Sequence, residues 1–191
     1  MSDVLLGDDG RARCPWVGSA SDDREYHDRE WGVEVRGDDA LFERMSLEAF
    51  QSGLSWLTIL RKRSAFRAAF AGFAIPAVAR FGPSDVERLL VDRSIVRNRA
   101  KIEAVIGNAQ VATGVEEGLS ELLWSYAPAY HRRPVTVSEV PSSTPESTAM
   151  AGELKRRGFR FVGPTTAYAL MQAIGMVDDH LSGCWRAQPT P

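Results

Sequence analysis

Cys14 and His27 stand near the start of this 191-residue chain, and His180 and Cys184 stand near its end. Both cysteines and two of the three histidines fall into these two pairs. Two thiolates and two imidazoles make a complete tetrahedral zinc set. Four protein ligands leave no open position for a substrate, so one ion held there would be structural. The spacing matches no zinc finger and would instead clip the N-terminal segment to the C-terminal tail. The competing reading, four unrelated packing or surface residues, stays open on spacing alone. Asp178 and Asp179 precede His180 and are expected to serve this metal end by orienting a ligand imidazole. His131 lacks a partner in the pattern and reads as a surface residue. A Cys14–Cys184 disulfide is not expected in a reducing cytoplasm.

A second constellation is aromatic. Trp16, Tyr26, Trp31 and Trp56 all fall in the first 56 residues. Glu48 lies inside the apolar stretch Met45-Ser46-Leu47-Glu48-Ala49-Phe50. Helical periodicity alone puts Glu48 on a solvent face. Buried, its carboxylate would need a partner, and aromatic faces around one anion suit a flat, cationic, aromatic ligand.

A third feature is the run Leu154 to Thr166, which reads as helix, tight turn, helix. Gly163 would let the backbone approach a phosphate closely, and the free N–H groups of the next helix could hold that phosphate. An ordinary helical hairpin without a partner is the alternative. The basic run Lys155-Arg156-Arg157, with Arg160, favours DNA. Three more basic clusters occur: Arg61-Lys62-Arg63, Arg97 with Arg99 and Lys101, and Arg132-Arg133. The net charge of −2 is no polyanion-binding signature by itself.

The elements that must position these residues read as helices. Asp38 is placed to cap a long helix carrying Leu41, Phe42, Met45, Leu47 and Phe50 at helical spacing. Gly53 interrupts, and a second helix resumes near Ser55 and runs to Gly72. Further helices are expected at about 76–80, 84–91 (capped by Ser84), 94–113 and 118–126. Residues 130–146 form a long loop. Thr144-Pro145 opens a helix that ends at Gly158, and a last helix covers 164–175. Residues 14–37 read as irregular and residues 1–12 as a flexible extension. No strand is expected. The fold class is therefore all-α, one domain over 13–187 with two helical lobes. No apolar run approaches a membrane span and no secretory signal opens the chain, so a cytoplasmic monomer is expected.

With RCPWVG, YHDREWGV, LEAFQSGLSW, IVRNRAKIEAVIGNA and KRRGFRFVGPTT in view, the chain resembles the DNA-3-methyladenine glycosylase I family, an all-helical branch of the helix-hairpin-helix superfamily. The resemblance runs from about Arg13 to Trp185. It implies a structural zinc ion on Cys14, His27, His180 and Cys184. It implies a base pocket of Glu48, Tyr26 and Trp56, with Trp31 and Trp16 close by. The Gly53-Leu54 turn is then the wedge that fills the gap left by a flipped nucleotide, and Gly163 with Thr165 meets the DNA backbone. The implied partner is double-stranded alkylated DNA and the implied product is free 3-methyladenine. Ala49, Phe50 and Pro164 depart from the glycine, glutamine and threonine usual in that family. The chain has no lysine after the hairpin, so Schiff-base lyase chemistry is not expected. A zinc-stabilised DNA-binding module without catalysis is the second class of function. A zinc hydrolase is a third, and four protein ligands would exclude it.

Overall fold

The computed structural model describes residues 3–187. The chain is mostly helical, as expected. Its helices are α1 (Ser21–Arg29), α2 (Asp38–Gln51), α3 (Trp56–Ala69), α4 (Ile75–Val78), α5 (Pro83–Val91), α6 (Arg99–Ala112), α7 (Leu119–Trp124), α8 (Pro145–Arg157) and α9 (Pro164–Ala173), with short 3-10 turns at Ala71–Phe73 and Val137–Glu139.

α2 is the axis of the fold. It packs against α3, α6, α7 and α9. Its residues Met45 to Phe50 are all buried, so this helix has no solvent face over that stretch, the hallmark of a helix buried on every side. A cluster of rings surrounds its C-terminal half. Phe50 meets Phe66 at 4.5 Å between centroids, and Phe70 stacks on Phe73 at 5.5 Å. Ala49 and Phe50 therefore belong to the core.

The caps differ from expectation at two helices. Gly37, with φ of 88°, caps α2, and Asp38 is its first residue. Asp38 is free to accept from the Ser120 amide at 2.8 Å, which ties α7 to α2. Gly82 rather than Ser84 caps α5, because Pro83 takes the first helical position. At α8 the reading holds: Thr144 Oγ1 accepts from the Ser147 amide at 3.2 Å, and Gly158 closes the helix in the left-handed conformation.

Three other expectations are corrected. The stretch 14–37 contains α1, whose polar surface hid its helical character. A small antiparallel pairing exists after all, Leu5–Leu6 with Ala12–Arg13. It folds much of the segment expected to be a flexible extension; residues 1–2 of that segment lie outside the described residues. The pairing is fastened by Arg13, which bonds Asp9 at 2.7 Å and Asp28 at 2.6 Å. No helix of the described residues is long and apolar enough to cross a membrane.

Candidate functional site

The chain ends meet in a small cluster of their own, built from Cys14, Tyr26, Trp31, Leu181 and Cys184. Ligand atoms of Cys14, His27 and Cys184 all lie within 4.8 Å of one another. The Cys184 Sγ is 3.4 Å from His27 Nε2. His27 is turned this way by Asp28, whose Oδ1 sits 2.8 Å from Nδ1. His180 stands beside the trio, its ring centroid 4.9 Å from that of His27. Asp178 Oδ1 is 2.8 Å from its Nδ1, while its Nε2 is buried without a partner. A buried orphan nitrogen of this kind is costly unless something binds it. A hydrogen bond donated by the Cys14 thiol pulls Cys184 down toward the thiolate, helped by His27, and together with burial holds Cys14 up. Two sulfurs and one oriented imidazole converge, and His180 stands outside that 4.8 Å group with its Nε2 unpaired; the donor types are those of a zinc site.

Gly32 keeps this arrangement close. Its φ is 75°, and a Cβ there would stand 2.9 Å from His180 Cε1, so glycine is required on both counts.

Against this cluster lies a cleft of about 760 Å³. Trp16, Tyr26, Trp31, Glu48 and Trp56 all line it. The rings form angled walls: Trp16 to Trp31 at 5.0 Å and 72°, and Tyr26 to Trp56 at 5.1 Å and 52°. The indole N–H of Trp56 is buried and unpaired. α2 presents Glu48 to the cleft from its buried middle. The carboxylate is only 6% exposed, and among the described residues no side chain or amide donates to it. Burial pushes its pKa up to about 8, with Arg44 pulling the other way. Arg44 is occupied elsewhere, sharing Glu30 with Arg63 at 3.0 and 2.6 Å. Tyr26 is raised above the ordinary phenol by its own burial and by Glu48.

The two aspartates before His180 divide. Asp178 serves the histidine, as expected, and is also held by Arg133 at 2.5 Å. Asp179 instead lines the cleft. Its Oδ2 accepts from Tyr168 and Gln172, each at 2.7 Å, and His131 Nε2 lies 3.1 Å from its Oδ1. His131 is thus a half-buried partner of Asp179 rather than a surface residue. Tyr168 and Gln172, four apart on α9, were the available sequence signal. Val137 and Val140 complete a wall of the cleft; they come from the long loop, which has no periodicity to betray them.

Leu54 projects at 41% exposed from the α2–α3 turn, where Gly53 has φ of 80°. Ser55 starts α3 by accepting from the Thr58 amide at 3.3 Å. In the hairpin, Gly163 caps α9 and a Cβ there would meet nothing within 4 Å. Thr165 is exposed in the first turn, and Pro164 removes one amide donor beside it.

The basic clusters are not uniform faces. Arg63 is paired with Glu30, Arg157 with Glu117 and Glu153, and Lys101 is buried.

A sequence profile described as methyladenine glycosylase matches residues 16–187. The chain belongs to the methyladenine glycosylase family. It is 45% identical over 179 residues to the DNA-3-methyladenine glycosylase 1 of Escherichia coli (strain K12), covering 90% of this chain and 95% of that one. It is 40% identical over 180 residues to the DNA-3-methyladenine glycosylase of Haemophilus influenzae, covering 90% and 96%. A crystal structure of a 3-methyladenine DNA glycosylase I superposes with a TM-score of 0.89 at 41% identity, over 92% of this chain and all of that one. The Staphylococcus aureus glycosylase studied for 3-methyladenine recognition superposes at 0.88 and 32% identity, over 94% and 98%. Within the methyladenine glycosylase family, then, the aromatic cleft and the Cys/His cluster of this chain sit on a backbone shared almost end to end.

Proposed function

We propose that this protein is a monofunctional base-excision repair glycosylase. It hydrolyses the N-glycosidic bond of 3-methyladenine in double-stranded alkylated DNA and acts as a cytoplasmic monomer. The observation that carries the reading is Glu48: an undonated carboxylate, buried at the end of a cleft walled by tryptophan and tyrosine.

The chemistry follows from the substrate. Methylation at N3 leaves the base positively charged in DNA, so the bond from C1′ to N9 breaks with its electron pair going to a base that departs neutral. No acid is needed to protonate it. Water forms the new bond at C1′ and loses a proton to solvent. The protein must unstack the base, which costs a few kcal/mol and less for a damaged base, and must favour the methylated form. Tyr26 and Trp56 hold the ring between angled faces, with Trp16 and Trp31 behind them. Glu48 accepts hydrogen bonds from the purine edge, and a cationic base draws its pKa down toward the ionised form. Neutral adenine gains less from that carboxylate. Leu54 fills the space left in the duplex, and the Gly163 end of α9 takes a backbone phosphate, as a helix N-terminus can.

Cys14, His27, His180 and Cys184 would hold one zinc ion, which supplies folding stability and no chemistry of the reaction. The support is the orphan Nε2 of His180 and the paired thiols. Assaying free 3-methyladenine released from methylated duplex DNA tests the function: release by the wild type is expected, and binding without release would make this a damage-sensing module instead.

A further inference from the structure

α6 carries two buried polar side chains, Lys101 and Asn108, which are 7% and 1% exposed. They stand seven positions apart, so they lie on one face two turns apart, about 10 Å along the helix. Both spend their hydrogen bonds on backbone. Lys101 Nζ donates to the carbonyls of Phe50 at 2.8 Å and Ser52 at 2.5 Å. Asn108 brackets Arg160, donating to its carbonyl at 3.0 Å and accepting from its amide at 2.8 Å.

The backbone they grip belongs to two turns. Phe50 and Ser52 lead into Gly53-Leu54. α2 has no basic residue in its own last turn, so its terminal carbonyls need a donor from elsewhere, and Lys101 is that donor. Arg160 lies in the α8–α9 hairpin, one residue before Phe161, whose φ of 58° is strained for a side chain of that size. The Arg160 guanidinium also returns to α6, bonding the Glu103 carbonyl at 2.5 Å. It lies against Gly107, where a Cβ would come within 3.2 Å of it. Burying an ammonium group is expensive, and an apolar side chain of equal length would fill the space. What the lysine and asparagine add is fixed geometry.

We propose that α6 is a ruler, with Lys101 and Asn108 as positioning residues that set the distance between the Leu54 turn and the Gly163 hairpin. A duplex presents its stack and its phosphates at fixed spacing, so the two turns reinforce each other only when held at the matching separation. The inference rests on the roles given above to Leu54 and Gly163.

Lys101→Met and Asn108→Leu test it, with two affinities measured on each folded variant. One is for free 3-methyladenine, followed by tryptophan fluorescence. The other is for a duplex carrying a stable abasic-site analogue. Duplex affinity is expected to weaken about tenfold, while free-base affinity stays at the wild-type value because neither residue bonds Glu48 or the rings that wall the cleft, and the Lys101 grip reaches that lining only at the backbone beside Gln51. Unchanged duplex affinity, or a parallel loss of both affinities, overturns the proposal. If Lys101→Met does not fold, Lys101→Arg carries the test: it keeps the buried donor but changes its length. The expected result is then a folded protein with reduced duplex affinity and full free-base affinity. Leu54→Ala in the wild-type background separates the two readings. If it leaves duplex affinity unchanged, the role given to Leu54 has failed, whatever Lys101→Met shows.

Discussion

The Trp31 ring lies 4.6 Å from the His180 ring, edge to face at 68°, so one indole is at once a wall of the cleft and a packing partner of the Cys/His cluster. Architecture and binding are therefore coupled through a single side chain. Replacing His180 by Ala, or stripping the ion with a strong chelator, is expected to remove one equivalent of zinc. Melting temperature should fall by about 10 °C, and free-base affinity should weaken as the wall loosens. Metal analysis and thermal unfolding on one sample check this. Unchanged stability in a metal-free protein would remove the zinc assignment.

The aspartates give a contrast. Asp178→Asn should lower zinc occupancy, because the charged acceptor that orients the His180 ring becomes a weaker neutral one. Asp179→Asn can keep its carbonyl oxygen on the donors of Tyr168 and Gln172 but turns its NH2 toward His131 and loses the charge, which costs about 2 kcal/mol. It should leave zinc in place and retain most base release. If Asp179→Asn keeps fold and zinc yet abolishes cleavage, that aspartate takes part in the chemistry and the Glu48 account is incomplete.

Glu48 has a signature in the pH dependence of stability. Its pKa is about 8 in the folded protein against an ordinary 4.5. Between those values the folded state binds a proton that the unfolded state has lost. The stabilisation is complete below the unfolded pKa and is lost as pH rises through about 8. Glu48→Gln removes this dependence. The wild type should therefore lose stability relative to the variant between about pH 5 and pH 9, as measured by denaturant unfolding. Parallel curves would mean that Glu48 is not held protonated.

Leu54→Ala is expected to lower kcat/KM on methylated duplex DNA by about tenfold, since nothing then fills the vacated stack. Free-base affinity should not change, because Leu54 does not line the cleft. Equal loss in both measurements would place Leu54 in the cleft's support rather than at the duplex.

The helices were legible because their apolar spacing and stops are local: Thr144-Pro145 and Gly158 bound α8 as written in the chain. The burial of Glu48 was not legible: periodicity put it on a solvent face, and only the packing of α3, α6, α7 and α9 around α2 encloses it. α1 was missed because SDDREYHDR is polar on most of its surface and is held by its buried Tyr26 and His27. The meeting of Cys14 and His27 with Cys184 was visible only as a coincidence of residue types, since 170 positions of intervening fold bring them together. His131 and Asp179 form a pair across distant segments, and no spacing rule reaches that far. The hairpin pairing of Leu5–Leu6 is too short for alternation to reveal.

The most direct test is release of free 3-methyladenine from methylated duplex DNA by the wild type and by Glu48→Gln, with zinc measured in both. The expected result is release by the wild type, a loss of about a hundredfold in the variant, and equal zinc in the two proteins. Full release by Glu48→Gln would contradict the assignment of the cleft.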